Sequence, residues 1–221
     1  MTFLIIACIR QERGAGACHN PMVSDTESRS APRGLAIFLI VAGAIGFAAA
    51  FALTLDKIHL LQDADAQLSC NFSVLIGCGT NLNSWQGSVF GFPNPLIGIA
   101  AWSVVITIGM AILAGARFAR WFWLGLNVGV IGAMAFVIWL ISQSIYVLDI
   151  LCPWCMVTWS VVIPLFFAVT LYNLKSGNIP ATESIKRLAA GWYSWIVLIT
   201  VACYIVVAVL AQVQMDVLHR I

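Results

Sequence analysis

The chain is organised by the places where it carries no charge. No Asp, Glu, Lys or Arg lies between Arg33 and Asp56, Asp65 and Arg117, Arg120 and Asp149, Asp149 and Lys175, or Arg187 and Asp216. A helix needs about 20 apolar residues to cross roughly 30 Å of hydrocarbon. Four of these gaps fit one crossing each. The gap from Ala66 to Ala116 is too long for one helix, and its first part is polar (Ser69, Asn71, Ser73, Asn81, Asn83, Ser84, Gln86, Asn94) and interrupted by Pro93 and Pro95. It reads as an extramembrane loop followed by a helix from about Pro95 to Ala114. Five spans result, near 35–55, 95–114, 121–146, 151–173 and 193–213. Lipid offers no partner for an open backbone group, so each span must be a helix. The runs do not alternate, which excludes a transmembrane barrel.

Only 9% of the 221 residues are charged and 62% are apolar, whereas a soluble domain carries about 25% charged residues. A soluble enzyme, a disordered tail and a small disulfide-stapled secreted domain are excluded. The net charge of +2 also argues against a nucleic-acid partner. The expected fold class is an all-α membrane protein with five transmembrane helices.

Lys and Arg set the expected orientation. Arg10, Arg13, Arg29, Arg33, Arg117, Arg120, Lys175, Lys186 and Arg187 fall on one side, and only Lys57 and Arg220 on the other. The N-terminus is expected in the cytoplasm and the C-terminus outside, with the loop 56–94 and the turn around Asp149 external. Residues 1–34 form a cytoplasmic segment: Phe3 to Ile9 is too short to span, and the Gly-, Ser- and charge-rich stretch after it reads as disordered. Residues 35–173 carry four helices, and 174–221 a cytoplasmic link and a fifth.

Of the seven cysteines, Cys70 and Cys78 lie in the external loop and Cys152 and Cys155 at the outer end of span four. Four thiols therefore converge on the oxidising face where disulfides form, although the orientation was derived from Lys and Arg alone. Cys152-Pro153-Trp154-Cys155 opens a helix. Thiols three residues apart on a first turn can form a reducible disulfide, and the positive end of the helix favours a thiolate. Pro153 suits that turn, where its missing N–H costs little. Three residues rise about 4.5 Å, so Cys152 sits at the rim and Cys155 one turn deeper. A rim thiol can meet another protein, and a deep one only something lipid-soluble. Zinc is the competing use of such a set, but Cys70 and Cys78 supply no second knuckle. The loop pair taken alone reads equally as a structural staple. Cys203 reads as a small core residue, and Cys8 and Cys18 as free thiols.

Trp85, Phe90 and Phe92 suggest an interfacial segment that either caps the bundle mouth or simply anchors it. Asn94, at the entry of a helix, either caps it or donates to a quinone carbonyl, and local sequence favours the cap. Trp159 shares a helix face with Cys155. Gly125, Gly129 and Ala133 have the spacing of a close helix contact. Asn127 and Gln143 are candidates for interhelical hydrogen bonds, and His59 for a solvated interfacial position.

Over residues 35–173 the chain resembles the vitamin K epoxide reductase family in its bacterial, disulfide-forming branch. The likeness rests on Cys70 and Cys78, Ser84 after them, Asn94-Pro95-Leu96-Ile97-Gly98 opening span two, and Cys152-Pro153-Trp154-Cys155 opening span four. The resemblance implies a four-helix core around a quinone site, with the fifth helix peripheral. It implies that Cys155 faces the quinone with Cys152 as its partner, that Cys78 exchanges with Cys152, and that Cys70 meets the thiol substrate. It makes Asn94 a hydrogen-bond donor to the quinone and Ser84 a residue that orders the site. Where vertebrate members have Tyr, this chain has Trp159, so a bond to the quinone there would come from an indole N–H. Many bacterial relatives continue into a thioredoxin-like domain after the fifth helix. Here the chain stops at Ile221, which implies a separate external thioredoxin-fold oxidase as partner. The implied activity is thiol oxidation coupled to reduction of a quinone (menaquinone or ubiquinone) in the bacterial cytoplasmic membrane. Reduction of a quinone epoxide by the same cysteines is the alternative within redox chemistry, and a transporter or scaffold with structural disulfides the alternative outside it.

Overall fold

The computed structural model describes residues 32–63, 68, 70–71, 75–216 and 218. Cys8, Cys18 and the N-terminal segment expected to be disordered lie outside the described residues, except for its last three positions. The elements are α1 (Arg33–Gln62), α2 (Gly79–Asn83), a 3₁₀ turn (Trp85–Ser88), α3 (Asn94–Leu113), α4 (Arg120–Tyr146), α5 (Pro153–Lys175), α6 (Glu183–Tyr193) and α7 (Ile196–Met215). Five of them, α1, α3, α4, α5 and α7, are long and apolar enough to cross a membrane. The chain is thus an all-α, multi-pass membrane protein, with no strand among the described residues beyond one isolated bridge.

Helix α1 packs along α3 and also against α5, which in turn packs against α4, while α3 and α4 approach each other little. The α1–α3 contact is close because glycines remove the side chains between the backbones. A Cβ at Gly43 would meet Ile106, one at Gly46 the Trp102 ring, and one at Gly109 the Ile40 side chain and Ala36 carbonyl. Helices α4 and α5 are joined differently, by a buried amide: Asn173 Nδ2 donates to Asn127 Oδ1 and to the Trp123 carbonyl, both at 3.1 Å. Asn127 thus makes the interhelical bond expected of it. Helix α7 leans on α4 and α5 and leaves Val197, Ile205 and Val213 exposed, as suits a peripheral helix bathed in lipid.

Three expectations change. Helix α1 continues to Gln62, so Asp56 to Gln62 are helical rather than loop. Charge ends the hydrocarbon-compatible stretch without ending the helix: at 1.5 Å per residue α1 is about 45 Å long, and its last turns stand beyond the apolar layer. The link after α5 contains α6, an amphipathic helix with Ile185, Leu188 and Trp192 exposed along one side. Gly125 and Gly129 do not make a close helix contact, since a Cβ at either would meet nothing within 4 Å. Their side of α4 faces the space left by α3.

Candidate functional site

The four cysteines of the motif meet at one end of the bundle, and local backbone bonding explains how. The loop after α1 and the turn before α5 pair in parallel at Ile76 and Leu151. Leu151 N–H donates to the Leu75 carbonyl at 2.8 Å and Gly77 N–H to the Leu151 carbonyl at 3.0 Å. Cys78 follows Gly77 and Cys152 follows Leu151, so this pairing delivers the two sulfurs side by side. Asn71 Oδ1 accepts the Cys78 N–H at 3.0 Å. Lys57 Nζ holds α2 against α1 by donating to the Leu82 carbonyl at 2.8 Å and to Asn83 Oδ1 at 3.2 Å.

Cys70 and Cys78 form a disulfide with their Cα atoms 5.8 Å apart. Cys152 Sγ lies 3.3 Å from Cys78 Sγ, while Cys152 and Cys155 are free thiols. Cys152 is the N-cap of α5, and its sulfur accepts the Cys155 N–H at 3.4 Å. It precedes Pro153, the first residue of the membrane-spanning helix α5. Its thiol is held below the ordinary value, first by hydrogen bonding with the Cys155 thiol and then by the N–H groups of Cys155 and Trp154, against burial and the charge of Asp56. Cys70, Cys78 and Cys152 are 1%, 0% and 0% exposed. Cys155 is only partly buried, because it opens on a cavity. The sulfurs thus run in series from a sealed loop to the interior of the bundle.

That cavity, about 570 Å³, lies between α3, α4 and α5. Its walls are apolar along most of their length, with Trp102, Val105, Leu126, Gly129, Val137 and Trp159 among them. Polar groups gather at the cysteine end: Asn81, Gln86, Asn94 and Gln143 beside Cys155. Asn94 and Trp159 line it as the sequence suggests; Ser84 does not, and its hydroxyl donates instead to the Asn81 carbonyl at 2.8 Å. Asn94 Nδ2 donates to the Gln86 carbonyl at 2.7 Å and its Oδ1 accepts the Val89 N–H at 3.2 Å. Those bonds fasten the 3₁₀ turn over the bundle mouth rather than cap α3, whose N-cap is Pro93. Trp85 and Phe90 of the same segment pack on Trp139 and Phe136 of α4.

Sequence reasoning missed Asn71, Asn81, Gln86, Trp102 and the site role of Gln143, which accepts from Gln86 Nε2 at 3.3 Å rather than bridging two helices. It also missed Asp56, whose Oδ2 lies 3.2 Å from Cys70 Sγ. The one available signal was polar residues within a segment that had to cover an apolar bundle. Asn81 Nδ2 and Gln86 Oε1 are buried and make no hydrogen bond among the described residues. The polar end of the cavity therefore keeps hydrogen-bonding capacity beyond what the chain itself uses.

No match was found among curated proteins. The model of the vitamin K epoxide reductase family matches residues 37–170, more than half of the chain and the whole of the segment that builds the disulfide, the free thiol pair and the cavity. The chain belongs to the vitamin K epoxide reductase family.

Proposed function

We propose that the protein is a quinone-dependent thiol oxidase that generates disulfides in a thioredoxin-fold partner. Its family works in quinone-linked oxidoreduction, and the cavity suits such a ligand. Binding clefts of about 300–1,000 Å³ with apolar walls and a few convergent polar groups are typical of small-molecule sites. A ring with carbonyl oxygens fits the amide-lined end beside Cys155, and an isoprenoid chain fits the apolar remainder. Asn94, Asn81, Gln86 and Trp159 are the residues that would hold it. The quinone, menaquinone or ubiquinone, supplies a two-electron acceptor.

In this reading the cysteines act in order. A partner thiolate attacks the Cys70–Cys78 disulfide and forms a mixed disulfide with Cys70, leaving Cys78 as the thiolate. Cys78 then attacks Cys152 in its disulfide with Cys155, and Cys155 leaves as a thiolate at the cavity wall. The partner's second thiol releases Cys70, which attacks Cys78 and frees Cys152. The partner ends as a disulfide and Cys152 and Cys155 as the reduced pair, which would re-form its disulfide by giving up an electron pair and two protons, to be carried away as quinol. Exchange of this kind needs thiolate access and in-line approach, and the protein's contribution is position. The carrying observation is the contact of Cys152 Sγ with Cys78 Sγ at 3.3 Å, with Cys155 opening on the cavity behind it.

The proposed setting is the bacterial cytoplasmic membrane, with the N-terminus in, the C-terminus out and the cysteine end on the outer side. It follows the excess of Lys and Arg at the opposite end. Residues 35–173 form the catalytic core in this proposal, residues 1–34 a cytoplasmic segment, and residues 174–221 the link and peripheral helix. The test is quinone reduction, followed by absorbance, with a reduced thioredoxin-fold protein added in trans. Wild type should turn over and Cys155→Ala should not. A variant that reduces quinone at the wild-type rate would refute the relay.

A further inference from the structure

Asp56 is the one charged side chain that is buried among the described residues, at 5% exposure. It sits where α1 passes beyond its apolar stretch, and its Oδ2 is 3.2 Å from Cys70 Sγ. A carboxylate oxygen of Asp56, Cys70 Sγ and Cys78 Sγ all lie within 4.8 Å of one another. A disulfide sulfur has no hydrogen to donate, so in this oxidised pair the contact sets a carboxylate against a sulfur. Lys57, the next residue, directs its ammonium to Leu82 and Asn83 of the α2 segment.

An incoming thiolate can bond to either sulfur of the Cys70–Cys78 pair, and the other sulfur must leave with the electron pair. Burial does not choose, because the two are 1% and 0% exposed. Charge does. A like charge disfavours an anion beside it, and in thiol–disulfide exchange the sulfur that forms the more stable thiolate leaves faster. Asp56 penalises negative charge on Cys70 more than on Cys78.

We infer that Asp56 directs the exchange, so that the partner becomes bonded to Cys70 and Cys78 leaves as the thiolate next to Cys152. The partner sulfur–Cys70 bond forms, the Cys70–Cys78 bond breaks, and the electron pair of the broken bond stays on Cys78 Sγ. No proton moves in this step. The opposite outcome would place the partner on Cys78, leave the thiolate on Cys70, and block the sulfur that lies 3.3 Å from Cys152. The inference rests on the relay proposed above and adds its directing group. With an effective dielectric of about 20, the fall of the Coulomb interaction from the 3.2 Å contact at Cys70 to a separation of at most 4.8 Å at Cys78 corresponds to a preference at most on the order of tenfold.

The test uses the full chain carrying Cys152→Ser, which stops the relay after the first exchange, with Cys70–Cys78 oxidised. Reduced glutathione is the probe, because a small thiol brings no protein surface to guide it. After a brief reaction and acid quench, free thiols are alkylated and peptide mass spectrometry reads which cysteine holds glutathione. With Asp56 intact, Cys70 should hold several-fold and up to about ten times more glutathione than Cys78; in Asp56→Asn the two should approach parity. Equal ratios in both proteins, or an excess on Cys78 with Asp56 present, would overturn the assignment. Asp56→Glu, which keeps the charge, should keep the excess, and it serves as the deciding variant should Asp56→Asn fail to fold; loss of the excess in Asp56→Glu also refutes it. No quinone is present, so failure here is distinguishable from failure of electron delivery by Cys155.

Discussion

Gly46→Ala adds one methyl group where α1 crosses the Trp102 ring, and should damage the quinone site without touching a cysteine. An ideal Cβ at position 46 falls 2.2, 2.5 and 2.6 Å from Trp102 Cε2, Cδ2 and Cζ2. Non-bonded carbons rest about 3.5–4.0 Å apart, so the ring or a helix must retreat by more than about 1 Å. Trp102 is buried in the core and also lines the cavity, so two responses are open. The ring turns into the cavity, or α1 and α3 separate along their glycine-mediated contact. Overpacking of this kind costs about 1–3 kcal/mol. If about half of that cost falls on the site, the quinone KM rises roughly two- to tenfold, since about 1.4 kcal/mol is a factor of ten. The assay pairs a detergent melt with quinone titration at saturating partner thiol. The melt should fall by a few degrees, the KM should rise, and Cys78–Cys152 exchange measured without quinone should keep its rate. Trp102→Phe in the Gly46→Ala background should restore part of the lost stability. An unchanged melt together with an unchanged KM would refute the picture of a close-packed α1–α3 pair whose ring forms the cavity wall.

Gly129 is the opposite case. Its Cβ direction meets nothing within 4 Å and the residue lines the cavity. Gly129→Ala should hold or raise the melting temperature, by up to about 1 kcal/mol of helix preference, whereas Gly129→Leu should raise the quinone KM with no loss of stability; a clear drop in melting temperature for Gly129→Ala would contradict the open space. For Cys152, whose thiol is held low first by Cys155, the rate of alkylation by iodoacetamide should persist to pH values below those of an ordinary thiol, because a lowered pKa leaves thiolate at lower pH. Cys155→Ala removes the largest lowering influence and should shift that profile to higher pH; an unmoved or lowered midpoint would show that another group sets it.

The spans were legible because hydrocarbon imposes one rule on every residue it touches, and Asp, Glu, Lys and Arg obey it visibly. The same rule misleads at Asp56, because the apolar stretch ends there while the helix does not, and α1 runs on to Gln62. The four cysteines were legible as a group because thiols at one membrane face are rare and topology alone gathers them. Their fine placement was not, because it depends on pairing between Ile76 and Leu151, distant in sequence and without a local signature. Small residues at four-residue spacing have two physical uses, close approach and open space. Gly43, Gly46 and Gly109 serve the first, Gly125 and Gly129 the second. Spacing is identical in the two uses, so only the position of the facing helix separates them.

The distribution of burial along the sulfur series has a mechanistic consequence. Were Cys155 reachable from water, soluble thiols would reduce it directly and the loop pair would serve no purpose; were Cys70 and Cys78 to face the cavity, the quinone would oxidise them without the motif pair. In this arrangement Cys155 alone of the four lines the cavity and Cys78 and Cys152 are sealed at 0% exposure, so a ligand in the cavity meets the motif pair and not the loop pair. Sealing has a cost, since a thiolate in an apolar enclosure is disfavoured. The Cys155 thiol first, and then the N–H groups of Cys155 and Trp154 at the start of α5, offset it at Cys152, and Asp56 sharpens it at Cys70. Negative charge is thereby disfavoured at the entry sulfur and tolerated at the next, so electrostatics as well as contact order the sulfurs in one direction. A carboxylate at one end and a helix N-terminus at the other form a gradient that four cysteines in a symmetric pocket would lack.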